Sequence, residues 1–168
     1  MLIPDKDAAK KFRPHTDYAA DVKADFEQIE PYLPERVESI LDIGCGLAGL
    51  DVYLKQKYPD ASLSLLDSDG ENPVYGWGEV NVPYGSRKDA EALLEANGVK
   101  VDRWIPAGTK ERLEADLVVS TVAWGFHFPL ATYDVHGFCI ADLRAGKEEP
   151  RGTVISNNGK AVRCAFRC

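Results

Sequence analysis

Blocks of apolar residues recur along the chain at two spacings. Ile40, Leu41 and Ile43 form one short run, and Ser62 to Leu66, Asp116 to Val122 and Gly137 to Leu143 form three more. Each is too short for a stable helix and nearly continuous in hydrophobicity, as central strands buried on both faces are. Val99 to Ile105 alternates and predicts a further strand between the second and third of these runs. Helical spacing separates them. Tyr18, Val22, Phe26 and Ile29 predict a helix over about 16–32, capped by Thr16 and ended by Pro31 and Pro34. Leu50, Leu54 and Tyr58 predict a second helix. Ser86 with Asp89 opens a third in the manner of a capping box, with Ala90, Leu93 and Leu94 as its buried face and Asn97-Gly98 as its stop. Pro106 to Glu114 reads as a turn with a weak short helix. Near the end, Gly152 to Ser156 and Ala161 to Arg167 flank Asn157-Asn158-Gly159-Lys160, and Asn-Gly between alternating segments is a strong hairpin signal. The pattern predicts one α/β domain over 1–168, with a core of about 38–168 built on a mostly parallel sheet that ends in an antiparallel hairpin.

Chemistry concentrates where the first run breaks into Gly44, Gly46 and Gly49. A strand, a tight glycine loop and a helix follow one another there. The glycines allow a sharp turn without a Cβ between the loop and a ligand, and the helix points free N–H groups at the same place. The second strand ends on Asp67, whose carboxylate can accept two hydrogen bonds from a ribose diol. Together these features describe a nucleoside site. Gly44-x-Gly46-x-x-Gly49 also satisfies the dinucleotide fingerprint, but Asp42, two residues before the first glycine, would repel a pyrophosphate and attract an ammonium group.

Asp42-Ile43-Gly44-Cys45-Gly46 resembles motif I of the class I S-adenosylmethionine-dependent methyltransferases, and Asp67 stands where that family keeps its ribose-binding acid. The resemblance covers the order of elements along the chain and is specific at residue level only here. It implies a Rossmann-like, doubly wound sheet and S-adenosyl-L-methionine as cofactor, with Asp42, Gly44, Cys45, Gly46, Asp67, Ser68 and Ser120 as the cofactor-binding residues. A helix before the first strand and a terminal hairpin are also features of that family. The connection from Arg144 to Arg151 is too short for its usual last helix, so the chain reads as a trimmed version of the fold.

The composition narrows the class. With 168 residues, 45% of them apolar, the chain can bury a core but has no room for a separate substrate domain. No run of about 18 apolar residues is present and Met1 to Asp7 lacks the apolar centre of a signal peptide, so a cytoplasmic protein without a membrane partner is expected. The net charge of −7, with the acidic excess in residues 1–84, argues against duplex nucleic acid. Arg144, Lys147, Arg151, Lys160, Arg163 and Arg167 near the end read as the solvated face of the hairpin. Cys45, Cys139, Cys164 and Cys168 form no CxxC and no zinc pattern; they read as small buried hydrophobes or bystanders, and no metal is expected.

The segment Ala123 to His136 is proline-broken and aromatic and occupies the position of motif IV. It lacks the Asn/Asp-Pro-Pro-Tyr/Phe of the amino-methylating nucleic-acid enzymes, and the Pro-Cys of the cytosine-C5 enzymes does not occur. A small or medium acceptor is therefore expected. His127 is the candidate base, with Tyr133, Asp134 and His136 behind it, and Trp124 is a candidate face for a cationic methyl group. Asp69 to Gly85, with Tyr75, Trp77 and Tyr84, is either a lid that stacks on a planar ligand or a loop packed on the domain. Phe12-Arg13-Pro14-His15 is a further candidate for closing over the cofactor. Two other readings compete with the enzyme. One is a non-catalytic cofactor-binding module that self-associates as a homo-oligomer, and the other is a nicotinamide-dependent oxidoreductase, against which Asp42 and the hairpin both argue.

Overall fold

The computed structural model describes residues 17–68, Trp77 and residues 86–168. Thr16, Phe12 to His15 and the aromatic insertion, apart from Trp77, lie outside the described residues. The elements are α1 (Tyr18–Ile29), β1 (Ser39–Ile43), α2 (Gly49–Lys57), β2 (Ser62–Asp67), α3 (Arg87–Ala96), β3 (Arg103–Pro106), β4 (Arg112–Ser120), β5 (Asp134–Arg144), β6 (Thr153–Asn157) and β7 (Ala161–Arg167), with 3-10 turns at Glu30–Tyr32 and Leu130–Thr132. The strands form one sheet in the order β3-β2-β1-β4-β5-β7-β6. β1 to β5 are parallel, β7 runs antiparallel beside β5, and β6 pairs antiparallel with β7.

The helices obey their local signals. Asp17 caps α1, its Oδ1 accepting from the Ala20 N–H at 3.3 Å, where the sequence pattern had pointed to Thr16. Ser86 and Asp89 form the full capping box of α3, and Gly98 ends that helix at φ +69°. All three helices cover the same face of the sheet. Phe26, Leu50, Leu54 and Leu94 pack there on Leu63, Leu65, Leu117 and Ile140, each buried aliphatic side chain contributing about 1.5–3 kcal/mol.

The second face is covered differently. Only β1 and β2 are followed by an α-helix among the described residues. The weak helix expected within Pro106 to Glu114 is absent: five residues of turn join β3 to β4, and β4 begins at Arg112, four residues before the expected Asp116. β5 likewise begins at Asp134, three residues before the expected Gly137, so Asp134 and His136 are strand residues paired with each other at 2.8 Å on the surface. A bulge between Glu114 and Leu117 separates the amino-terminal halves of β4 and β5 from the rest of the ladder. Leu113, Ala115 and Val135 from these halves, with Trp124, Leu130 and Tyr133, join the cluster formed by Leu41, Leu66 and Ile105. β3 is shorter than the alternation of Val99 to Ile105 suggests, because Asp102 is held just before it: its N–H donates to the Leu63 carbonyl and its Oδ2 accepts from the Leu63 N–H.

A buried ion pair joins the hairpin to the rest. Arg163 on β7 is not part of a solvated basic face; it is 7% exposed and donates from Nε and Nη2 to the two oxygens of Asp142 on β5, at 2.7 and 3.0 Å. Its Nη1 reaches Asp25 and Gln28 of α1, both at 2.9 Å. Removing one partner leaves a buried charge without compensation. Arg163→Met is therefore expected to cost about 3–5 kcal/mol of stability, read from urea unfolding, and the double variant Arg163→Met/Asp142→Leu is expected to recover most of that loss.

Candidate functional site

β1 is the point where the sheet reverses direction, with β2 on one side and β4 on the other, and the crevice outside the strand ends at such a point is where open α/β sheets bind ligands. The loop from Gly44 to Ala48 crosses it. Gly44 and Gly46 have φ of +79° and +55°, and Ala48 also takes a left-handed conformation at +58°. A Cβ on Gly44 would lie 2.2 Å from the Cβ of Ala123, so glycine is required there by close approach as well as by conformation. Gly49 is helical, and a Cβ on it would meet the Tyr18 hydroxyl at 2.5 Å.

Two contacts tie the loop to the end of β2. The Gly44 N–H donates to the Leu66 carbonyl at 2.7 Å, and the Gly46 N–H donates to Asp67 Oδ2 at 2.8 Å. Asp67 Oδ1 accepts from the Ser68 N–H and hydroxyl at 2.6 and 3.3 Å. Asp67 is half-buried and holds the loop in place, the longer contacts from the Ser68 hydroxyl and the Cys45 thiol being the weaker of those on its two oxygens. Cys45 Sγ lies 3.8 Å from Asp67 Oδ2. Burial, followed by the charges of Asp42, Asp67 and Asp51, pushes its thiol well up, so Cys45 is a packed thiol and not a nucleophile.

Asp42 is 3% exposed, beneath the loop, and its partner is a residue that the sequence pattern did not bring out. Asp51, in the first turn of α2, is fully buried. The two acids are electrostatically coupled, and a favourable contact between them requires a proton on one, because two carboxylates offer only acceptors. No hydroxyl or N–H of another described residue reaches Asp42 Oδ1 or either Asp51 oxygen. Burial, then the charge of Asp51, then that of Asp67 raise Asp42 well above the ordinary carboxylate range. Burial raises Asp51 to about 7, against the opposing effect of its interaction with Asp42. The one signal for Asp51 in the sequence is an acid inside the apolar run Leu50-Asp51-Val52.

Ser120 ends β4 and is fully buried; its hydroxyl donates to the Ile43 carbonyl at 2.7 Å and accepts from the Trp124 N–H at 2.8 Å. It acts on the loop through the backbone. Val122 follows at φ +56°, 39% exposed, with its N–H held by Asp142 Oδ2 at 3.1 Å. A β-branched residue in that conformation costs of order 1–3 kcal/mol and persists where its surroundings enforce it. Beyond it, Trp124 is buried on Phe166 with its indole N–H donated to the Leu130 carbonyl, so it is a core residue and does not present a face to a ligand. His127 is half-buried, its ring edge-on to Phe126 at 5.0 Å. The Tyr133 oxygen accepts from the Gly108 N–H at 3.2 Å. Burial, and to a lesser degree the charge of Asp67, raises the Tyr133 phenol, which keeps its proton. Trp77 donates to the Phe126 carbonyl at 3.2 Å and lies under the Lys147 ammonium, 5.5 Å from the ring centre, so this aromatic of the insertion packs on the domain.

No family model and no curated protein matches the chain. Among solved structures it is similar to the PH0226 protein from Pyrococcus horikoshii OT3, at 16% identity and a TM-score of 0.55, over 85% of this chain and 64% of that one. It is also similar to StiE O-MT residues 961–1257, at 13% identity and a TM-score of 0.54, over 84% of this chain and 53% of that one. The chain thus spans less than two thirds of the length of either structure. At these identities the likeness is one of fold, the Rossmann-like methyltransferase fold.

The buried acid pair sets a pH dependence. An acid raised from about 3.9 when unfolded binds more protons folded than unfolded, so its contribution to stability is complete below about pH 4 and is lost as the pH rises through the folded value. For Asp51 that window ends near pH 7. Urea unfolding is expected to show stability falling between pH 4 and 7, with Asp51 alone accounting for about 3 kcal/mol and the raised Asp42 adding to it. Asp51→Asn, which keeps a hydrogen-bond donor toward Asp42, is expected to remove the share of that slope due to Asp51 and to leave the share that burial gives Asp42.

Proposed function

We propose that the protein is an S-adenosyl-L-methionine-dependent methyltransferase acting on a small or medium acceptor at oxygen or nitrogen. One observation carries this reading: Asp42, Asp51 and Asp67 converge on the glycine loop, and among the described residues no lysine or arginine pairs with any of them. Such a site repels a pyrophosphate and favours a ligand carrying ammonium and sulfonium charges.

The residues present suit that cofactor. At Asp67 a ribose diol would replace the weak contacts from the Ser68 hydroxyl and the Cys45 thiol beside the bond that anchors Gly46, the Ser68 N–H orients the carboxylate, and the loop at Gly44 and Gly46 has no side chain to obstruct the ligand. Asp42 lies beneath the loop as one half of the buried acid pair, and Ser120 acts by fixing the ends of β1 and β4. When bound, the cofactor supplies an electrophilic methyl group. This chain's own task is to orient an acceptor, exclude water and, for a hydroxyl acceptor, remove its proton. His127 is the proposed base. Tyr133, whose oxygen already accepts from Gly108, still has an O–H to donate to the acceptor. A non-catalytic cofactor-binding module is the second reading, favoured by the second sheet face, which carries no α-helix among the described residues.

Calorimetric titration is expected to show binding of S-adenosylhomocysteine and none of NAD. Asp67→Ala is expected to weaken that binding roughly ten- to a hundredfold, the loss of hydrogen bonds to a charged acceptor. NAD binding, or unchanged S-adenosylhomocysteine affinity in folded Asp67→Ala, would remove the cofactor assignment.

His127→Ala is expected to leave S-adenosylhomocysteine affinity intact and to lower methyl transfer to a responsive phenol or amine by about two to four decades. Parallel losses of affinity and turnover would make His127 a packing residue. Absence of transfer across a broad acceptor panel by a protein that binds the cofactor would favour the second reading.

A further inference from the structure

Cys139 and Cys168 take no part in the site described above, yet the hairpin brings them together. In the β5–β7 ladder Cys139 pairs with Phe166. Two positions further along, Gly137 and Cys168 exchange both backbone hydrogen bonds, Cys168 N–H to Gly137 O at 3.0 Å and Gly137 N–H to Cys168 O at 3.4 Å. Positions two apart on a strand share a face, so Cys139 and Cys168 point to the same side as diagonal neighbours. Gly137, directly across from Cys168, contributes no side chain to the space between them. Cys139 Sγ leans back along β5 toward that glycine, 3.7 Å from its carbonyl oxygen. The two thiols are electrostatically coupled, and both are reduced.

The two sulfurs are not equivalent. Cys139 is fully buried and Cys168 is exposed. The interaction between the thiols raises Cys139 and lowers Cys168, and the positive charge of Arg151 lowers Cys168 further. The exposed sulfur is therefore the nucleophile and the buried one its proton-bearing neighbour. Arg151 and the exposed Arg167 also favour an anionic reagent at this point.

We propose that Cys139 and Cys168 are a redox-modifiable dithiol that reacts with a small anionic disulfide and closes into an intramolecular disulfide between β5 and β7. In the first step the Cys168 thiolate attacks one sulfur of the reagent. The reagent's S–S bond breaks, a mixed disulfide forms on Cys168, and one thiolate departs. In the second step the departing thiolate or solvent takes the Cys139 proton, and the Cys139 sulfur attacks the Cys168 sulfur. The mixed disulfide breaks and the second reagent thiolate leaves. Two protein thiols are oxidised and one disulfide is reduced to two thiols.

The test treats the intact, folded protein with oxidised glutathione, then alkylates the remaining thiols, records the intact mass and maps the peptides. Two of the four cysteines should become unreactive, the protein should lose two hydrogens in mass without retaining glutathione, and the peptides carrying Cys139 and Cys168 should be linked. Cys139→Ala should stall with one glutathione on Cys168, and Cys168→Ser should take up none. Peptide mapping of the unmodified protein stands independently of whether either variant folds. Retention of all four thiols, a stable glutathione adduct on the wild-type protein, linkage of another pair, or a dimer joined through Cys168 would each overturn the proposal. None of these results depends on whether the glycine-loop site binds a nucleoside.

Discussion

One buried hydroxyl sits where the two halves of the sheet part. Ser120 bridges the last carbonyl of β1 and the N–H of Trp124, so the end of β4 cannot move without the end of β1. Gly44 must then pass Ala123 with no side chain between them. From this junction the glycine loop leaves on one side and the Val122 to Tyr133 segment on the other. The crevice between them has its floor set by backbone contacts, which leaves the flanking side chains to provide chemistry. The strained backbone of Val122 fits the same picture: Asp142 holds its N–H, Arg163 holds Asp142, and α1 holds Arg163. A chain of buried polar contacts thus runs from the first helix to the rim of the crevice.

The electrostatics of the loop run against stability. Asp42 and Asp51 are buried against each other, no hydroxyl or N–H of another described residue reaches Asp42 Oδ1 or either Asp51 oxygen, and Asp67 adds a third acid nearby. Burying such groups raises the cost of ionising them, and a proton on one of them is what makes the pair tolerable. Natural proteins accept this kind of destabilisation where a ligand needs a pre-set field. A cation bound above the loop would offset the repulsion, whereas a second anion would add to it. The same acids that weaken the unliganded fold would therefore favour a cationic ligand over an anionic one.

Among the described residues the two faces of the sheet are covered by different kinds of structure. Three helices cover one side of the sheet, while the amino-terminal halves of β4 and β5 and the segment through Trp124 and Leu130 supply the apolar cover on the other. The bulge between Glu114 and Leu117 lets β4 and β5 serve two regions of the structure, since an extra residue breaks the ladder and bends the strand. Tyr133 is drawn by this arrangement to Gly108, on the turn after β3, and so to within the influence of the Asp67 charge.

Much of this was legible in the chain alone, for local reasons. The glycine loop between an apolar strand and an amphipathic helix, the capping box at Ser86 and Asp89, the Asn158-Gly159 turn and the acid ending β2 each depend on a few neighbouring residues. Backbone sterics and hydrogen bonding there allow few alternatives. What the chain left open depends on partners far away in sequence. The early starts of β4 and β5 need each other for pairing, Trp124 becomes a core residue only because Phe166 and Leu130 meet it, and Arg163 is buried because β7 lies between β5 and β6 with Asp142 beside it. Asp51 likewise looks like an acid misplaced in a helix until the fold sets it against Asp42. Local propensity can specify an element, but the burial of a charge or an aromatic is decided by what packs on it, and only the tertiary structure supplies that.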